Sequence, residues 1–195
     1  MRKYDFNRTT NETDIYLSLN LDGNKNGNIS TPIGFLNHML DLLKNHSGFD
    51  LNIKAKGDVD VDDHHTAEDI GILLGEVFNK CLGEKKGINR YSNIILPMDE
   101  ALILATVDIS GRAYFVFDVN FPSHQIGSFD TELIEEFLRA FTMNAKITLH
   151  IRQLSGSNAH HIAEAIFKSL AYVLKNAVCI NQDKINDIPS TKGVL

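Results

Sequence analysis

His64-His65-Thr66-Ala67-Glu68 recurs further along the chain as His160-His161-Ile162-Ala163-Glu164. In each copy two adjacent histidines are followed by a glutamate at the same offset, and each copy opens an apolar run that reads as a helix. Imidazole nitrogen with carboxylate oxygen is a ligand set for a divalent transition metal. Two copies within 195 residues point to a duplicated scaffold carrying more than one metal. On a helix, residues three or four apart share a face, while neighbours diverge by about 100°. Glu68 therefore lies beside His64 or His65, but the two histidines diverge. They suit two ions, or one ion and a neighbouring subunit.

The repeat extends outward from the motif. An extended segment lies ahead of each copy, Leu51 to Lys56 and Ile147 to Arg152, and a helical segment lies ahead of that, Ile33 to Asn45 and Thr131 to Met143. The first helical segment carries His38 and the second carries Glu136, at nearly the same distance upstream of their histidine pairs. If the halves are copies, Glu136 occupies the place of His38. The candidate metal ligands are then His38, His64, His65, Glu68, Glu136, His160, His161 and Glu164, two groups of four if they divide evenly.

Local patterns predict the elements. Asp14 to Leu21 alternates as a strand, and Asp22 to Asn28 is a loop of turn residues. Thr31 is the expected N-cap of the next helix, with Pro32 at its first position and Gly48 at its end. The alternation from Leu51 is expected to run to Val61, with Asp63 capping a helix from His64 to about Leu82. The acidic run Asp58 to Asp63 reads as that strand and cap rather than a calcium loop, since it lacks the spacing and final Glu of an EF-hand. In the second half, strands Ala101 to Ile109 and Ala113 to Phe121 are joined through Ser110-Gly111. Asp130 is the expected cap of a helix whose Leu133, Ile134, Phe137, Leu138 and Phe141 form one stripe. A strand from Lys146 to Gln153 follows, then Asn158 and a helix from His160 to Ala177. Lys85 to Pro97 reads as the link between halves. This order predicts an α+β sandwich of duplicated half-domains, residues 1–90 and 91–195, forming one compact unit. Each half buries its sheet only by packing its two helices on the other half.

A net charge of −6 without a basic stripe argues against a nucleic-acid surface. No apolar run approaches the roughly 18–20 residues of a membrane span. The start, Met1-Arg2-Lys3-Tyr4-Asp5-Phe6-Asn7, lacks an apolar signal-peptide core. Cys81 and Cys179 have no CxxC spacing and read as small semi-buried hydrophobes in a reduced, cytoplasmic setting.

For an anionic substrate the candidates are Arg90, Arg112 and Lys192, with Ser190-Thr191-Lys192-Gly193 as a polar clasp. Lys168 lies about two turns beyond His160 on a similar side. Taken singly, each basic residue also reads as a solvated surface group, and no spacing rule joins them. By pattern alone Glu12 is a loop carboxylate. His150 falls inside a strand as a structural residue, and His124 in a loop facing solvent. His46 ends the first helix, where the dipole favours it, and stands in reserve near His38.

Six segments in order resemble the imidazoleglycerol-phosphate dehydratase family over essentially the full length. They are Arg8 to Thr13, Gly34 to Asp41, Asp58 to Gly71, Asp108 to Arg112, Asn158 to Lys168 and Pro189 to Gly193. The resemblance implies two similar half-domains, each a mixed sheet with two helices, the helices sandwiched between the two sheets. It implies a shell of 24 subunits built on trimers, with two manganese ions per active site at subunit interfaces. The metal ligands it implies are the eight residues the repeat selects. Substrate contacts are implied at Glu12, His38, His46, His64, Arg90, Arg112, His160, Lys168, Ser190, Thr191 and Lys192. Glu12, Glu68 and Glu164 are the implied carboxylates for moving protons. The implied reaction removes water from imidazole glycerol phosphate to give imidazole acetol phosphate. Three positions depart from the common family pattern: Glu136 stands where histidine is frequent, Asn37 where aspartate is, and Leu42 where glutamine is. A di-metal phosphate-ester hydrolase and a metal-storing shell are the alternative readings; the latter lacks the four long Glu-x-x-His helices of ferritin-like proteins.

Overall fold

The structure is a computed structural model that describes residues 2–195; Met1 lies outside them. The alternation beginning at Ile15 places Ile15, Leu17 and Leu19 on one buried face. Their strand, β2 (Thr13–Asn20), pairs antiparallel with β1 (Lys3–Thr9) and with β4 (Asp50–Gly57). A short β3 (Ile29–Ser30) joins β4 in parallel, so the sheet runs β1-β2-β4-β3. The second sheet has β5 (Tyr91–Met98), β6 (Ala101–Asp108), β7 (Tyr114–Asp118) and β10 (Thr148–Ser155) in the order β5-β6-β10-β7. Its pairings are again antiparallel, antiparallel and parallel. A two-stranded ribbon of β8 (Gln125–Ile126) and β9 (Phe129–Asp130) stands apart.

Four helices fill the space between the sheets: α1 (Gly34–Ser47), α2 (His64–Leu82), α3 (Glu132–Ala145) and α4 (Ala159–Val178). Helix α2 lies on β2 and packs chiefly against α3, while α4 lies on β5 and β6 and packs against α1. Each half thus covers its sheet with helices that the other half buries. Phe78 and Phe141 meet edge-on across the α2–α3 seam with ring centroids 5.6 Å apart.

Glycines set how close that seam is. A Cβ at Gly71 would stand 2.6 Å from the Phe137 carbonyl oxygen, and one at Gly75 would stand 2.5 Å from that of Phe141. The obstacle is helix backbone, which has no rotamer to turn away. Gly75→Ala is therefore expected to lower stability by about 1–3 kcal/mol through forced separation of the helices. The denaturation midpoint reads this directly; an unchanged midpoint would mean the seam parts freely.

Several local expectations are corrected. Helix α1 starts at Gly34 with Ile33 at the cap position, not at Thr31-Pro32. The Thr31 hydroxyl is used in its own turn, accepting the Ile33 N–H at 3.1 Å. Asn37 reaches back to the same residue, its carbonyl accepting from Thr31 N (2.9 Å) and its amide donating to Thr31 O (3.0 Å). An ionised aspartate has no donor for the second bond, which gives Asn37 a local reason to stand here. Leu42 packs against the core.

The strand expected to reach Val61 stops at Gly57, and residues 58–62 form a turn with Val59 and Val61 exposed. The turn brings Asp62 Oδ1 to the His64 N–H at 2.8 Å, so Asp62 supplies the bond expected of Asp63. Thr131, not Asp130, holds the cap position of α3, and neither caps it by a side-chain bond. Asp130 instead accepts from Gln125 across the β8–β9 ribbon. The link Lys85–Pro97 holds all but the last residue, Met98, of β5, an edge strand where Pro97 leaves no ladder bond broken inside the sheet. Strands β6 and β7 are not neighbours, because β10 inserts between them. Cys81 is buried, as expected, but Cys179 is exposed; both are free. Among the described residues no helix is long and apolar enough to cross a membrane.

Candidate metal and substrate site

The caps and turns that start α2 and α4 aim the histidine pairs. At α4 the Asn158 side chain accepts from the N–H groups of His160 and His161 (2.9 and 3.3 Å), fixing the first turn. His160 and Glu164 then share a face one turn apart. Packing of α1 on α4 brings His38 to the same spot. His38 Nε2 lies 2.8 Å and His160 Nε2 3.2 Å from one oxygen of Glu164, Oε1. The other oxygen, Oε2, accepts from Lys168 Nζ at 2.6 Å. Burial alone would raise the Glu164 carboxyl, but bonds from Lys168, His38 and His160 outweigh it and hold the group at about 2. It is ionised at any working pH.

Two imidazole nitrogens converging on one carboxylate oxygen form the one His/Cys/Asp/Glu group of metal-binding geometry among the described residues. The donor set fits a divalent first-row metal. In the structure each close N···O pair is a hydrogen bond, and a cation held there would replace both bonds.

The second histidine of each pair points elsewhere, and each is held by a carboxylate through Nδ1. His65 Nδ1 lies 3.0 Å from Asp58 Oδ2, and His161 Nδ1 lies 2.7 Å from Glu100 Oε2. A carboxylate at Nδ1 fixes the neutral tautomer whose Nε2 is free to donate to a metal. Glu100 sits in the β5–β6 turn and also accepts from Ser157 N (3.1 Å) and Asn158 N (2.8 Å), so it joins that turn to the start of α4. The His161 contact and these amides hold its carboxyl at about 2, while Glu100 raises His161. Glu100→Gln is expected to weaken metal binding about 10–100-fold at high pH. The pH midpoint of binding should move down, because metal needs neutral imidazole and His161 would lose the partner that holds its proton. Metal titrations across pH check both; an unmoved midpoint would remove Glu100 from the site.

Tail residues build a second region. Arg90, at a positive φ of 73°, donates to Asp108 from Nε (2.7 Å) and Nη2 (3.2 Å), and from Nη1 to Pro189 O (2.8 Å). Arg90, Ser190 and Thr191 line one open cavity of about 610 Å³. Lys192 N donates to Ser190 Oγ at 3.2 Å, and Arg112 turns its guanidinium back on its own turn, Nη1 donating to Ser110 O at 3.4 Å.

The sequence model of imidazoleglycerol-phosphate dehydratase matches residues 31–174. The chain belongs to the imidazoleglycerol-phosphate dehydratase family. It is 54% identical to the imidazoleglycerol-phosphate dehydratase of Methylobacterium radiotolerans over 195 residues, the whole of both chains. It is 52% identical to that of Acetivibrio thermocellus over 194 residues, covering 100% of this chain and 99% of the relative. The crystal structure of the Staphylococcus aureus enzyme matches with a TM-score of 0.85 at 43% identity, covering 92% of this chain and 99% of that one. The Pyrococcus furiosus enzyme, solved in complex with (S)-C348, matches with a TM-score of 0.84 at 40% identity, covering 97% and 100%. The family is one of hydro-lyases, enzymes that eliminate water.

Within this dehydratase-family chain, the residues selected from the sequence fall into separate places. His38, His160, Glu164 and Lys168 converge. Glu12 stands by His65, with Oε2 3.9 Å from Nδ1. His64, Glu68 and Glu136 join no metal-binding group among the described residues: His64 packs edge-on to His65 at 6.2 Å, and Glu136 lies 4.0 Å from Arg139. His46 rests against the Tyr172 ring, 5.6 Å between centroids, and burial lowers it first. The Arg90 cavity has none of the histidines in its wall. Glu100 was missed by sequence reasoning, since no spacing relates a turn glutamate to a histidine in another element.

Proposed function

We propose that the protein removes water from D-erythro-imidazole glycerol phosphate to give imidazole acetol phosphate, in the biosynthesis of histidine. The observation that carries this reading is the convergence of His38 and His160 on Glu164 in a chain of this family. The eight ligands divide between two manganese ions. His64, His65, Glu68 and Glu136 complete their set against a second copy, in a 24-subunit shell built on trimers, which agrees with their separation in one protomer. The half-domains are residues 1–90 and 91–195, and the enzyme works in the cytoplasm.

Bound metal supplies Lewis-acid polarisation of the substrate. The chain's own residues do the rest. Arg112, Lys192 and the hydroxyls of Ser190 and Thr191 bind the phosphate, and Arg90 holds the tail by its Pro189 carbonyl so that these hydroxyls face the cavity. Lys168 keeps Glu164 ionised and oriented. Glu12 moves the proton at the reacting side chain of the substrate, and fixed phosphate contacts keep the hydroxyl and the carbon-bound proton in reach of it.

Chelator-stripped protein should give imidazole acetol phosphate only after manganese is restored. A folded, metal-loaded protein that forms none would sink the dehydratase reading and leave phosphate-ester hydrolysis to be tried.

A further inference from the structure

Glu12 has to be placed by something other than its own side chain. Its carboxylate is half exposed, and its nearest basic group is His65 at 3.9 Å. Position must therefore come from the backbone of the turn between β1 and β2.

That turn is closed from inside by Thr10. Its Oγ1 accepts from Glu12 N (3.1 Å) and Thr13 N (3.0 Å), and Thr10 N donates to Thr13 O at 2.8 Å. These bonds shape the turn but do not fasten it to the helix bearing the histidine pair. Asp69 does. Its Oδ1 accepts from Arg8 Nε (3.1 Å) and Nη2 (3.0 Å), and its Oδ2 accepts from Thr13 Oγ1 at 2.5 Å. Arg8 lies in β1 and Thr13 opens β2, so one carboxylate grips the chain on both sides of Glu12. Asp69 and Thr13 are 7% and 4% exposed, which shields the Thr13 bond from water, while the Arg8 pair is half-buried.

We propose that Asp69 is a positioning residue, acting through Arg8 and Thr13 to hold Glu12 at a set distance from His64, His65 and Glu68. Asp69 follows Glu68 directly in α2, and the helix turns it about 100° away. Neighbouring carboxylates thus serve different ends, one facing the metal side and the other locking the turn. Helix α2 then carries both the ligand motif and the anchor of the acid/base group, so the two move as one rigid piece. The inference rests on the reading of Glu12 as the proton-moving group.

Asp69→Asn removes the charge that pairs with Arg8 and forces the Thr13 hydroxyl to turn from donor to acceptor, so the grip loosens on both sides of Glu12. A misplacement on the order of 1 Å lowers turnover by about 100-fold. Expected for Asp69→Asn is a kcat reduced roughly 10–100-fold, with KM and bound manganese within about twofold of the parent. Thr13→Val should reproduce the loss and Thr13→Ser should restore the rate. If the Asp69 variant does not fold, the Thr13 pair carries the test. The double variant with Glu12→Gln should be no slower than Glu12→Gln alone. Loss of manganese, multiplicative losses in the double variant, or parental kcat in both Asp69→Asn and Thr13→Val would overturn the positioning role. Parental kcat in Glu12→Gln would instead remove Glu12 from the reaction, and the positioning role with it.

Discussion

Glu12→Gln is expected to lower kcat roughly 10²–10⁴-fold, the range for losing a positioned general acid or base, while metal content stays that of the parent. Glu12 is outside the group formed by His38, His160 and Glu164, so neutralising it takes no ligand from that group. Its backbone is fixed by Thr10 and by neighbours of Asp69, and none of those bonds uses the Glu12 carboxylate. Gln therefore keeps the turn and the size of the side chain and removes only the capacity to take a proton. Single-turnover rates together with metal analysis on the same sample make the test. Slow turnover with lost metal would reassign Glu12 as a ligand, and parental turnover would remove it from the mechanism.

Glu164→Ala is expected to abolish stabilisation by metal and to destabilise the metal-free protein as well. Lys168 and Glu164 are a mostly buried pair, with side chains 17% and 11% exposed. Removing the carboxylate leaves the ammonium with only the Met98 sulfur at 3.2 Å. A carboxyl held at about 2 against an ordinary 4.5 corresponds to roughly 3 kcal/mol, or about 2 after allowance for solvent at the rim. The sign follows from linkage. The folded value is depressed, so this stability is fully present above the unfolded value of 4.5 and is lost as pH falls through about 2. Parent and variant stability curves should therefore lie apart at neutral pH and converge in acid. Curves that stay parallel down to pH of about 2 would assign the loss to packing instead of charge.

These two carboxylates mark the extent of what the sequence makes legible. Glu164 is readable because its partners are local or duplicated: His160 one turn earlier on the same helix, Lys168 one turn later, and His38 through the repeat. The helices follow from the same kind of information, since periodicity and the glycines at 48 and 83 act within a few residues. The alternation of β2 and β6 determined which faces are buried, and duplication of the HHxxE unit determined that the two halves are built alike.

Other features depended on the fold. Asp58 to Asp62 alternates like a strand, but Gly57 lies so close to Thr66 that a Cβ there would meet its hydroxyl at 1.9 Å, and the chain turns instead. Strand β5 was hidden by its proline because only the sheet order shows it to be an edge. Glu100 meets His161, Arg8 and Thr13 meet Asp69, and Arg90 meets the tail across long stretches of chain. Periodicity is a local signal, arising from the pitch of one helix or strand, so the sequence by itself determined the ligand types, the helices that carry them and the duplicated plan. Which carboxylate holds which histidine, and what pins Glu12 beside them, was decided only by tertiary packing, because those partners are brought together by the docking of whole elements and by no property of the segments between them.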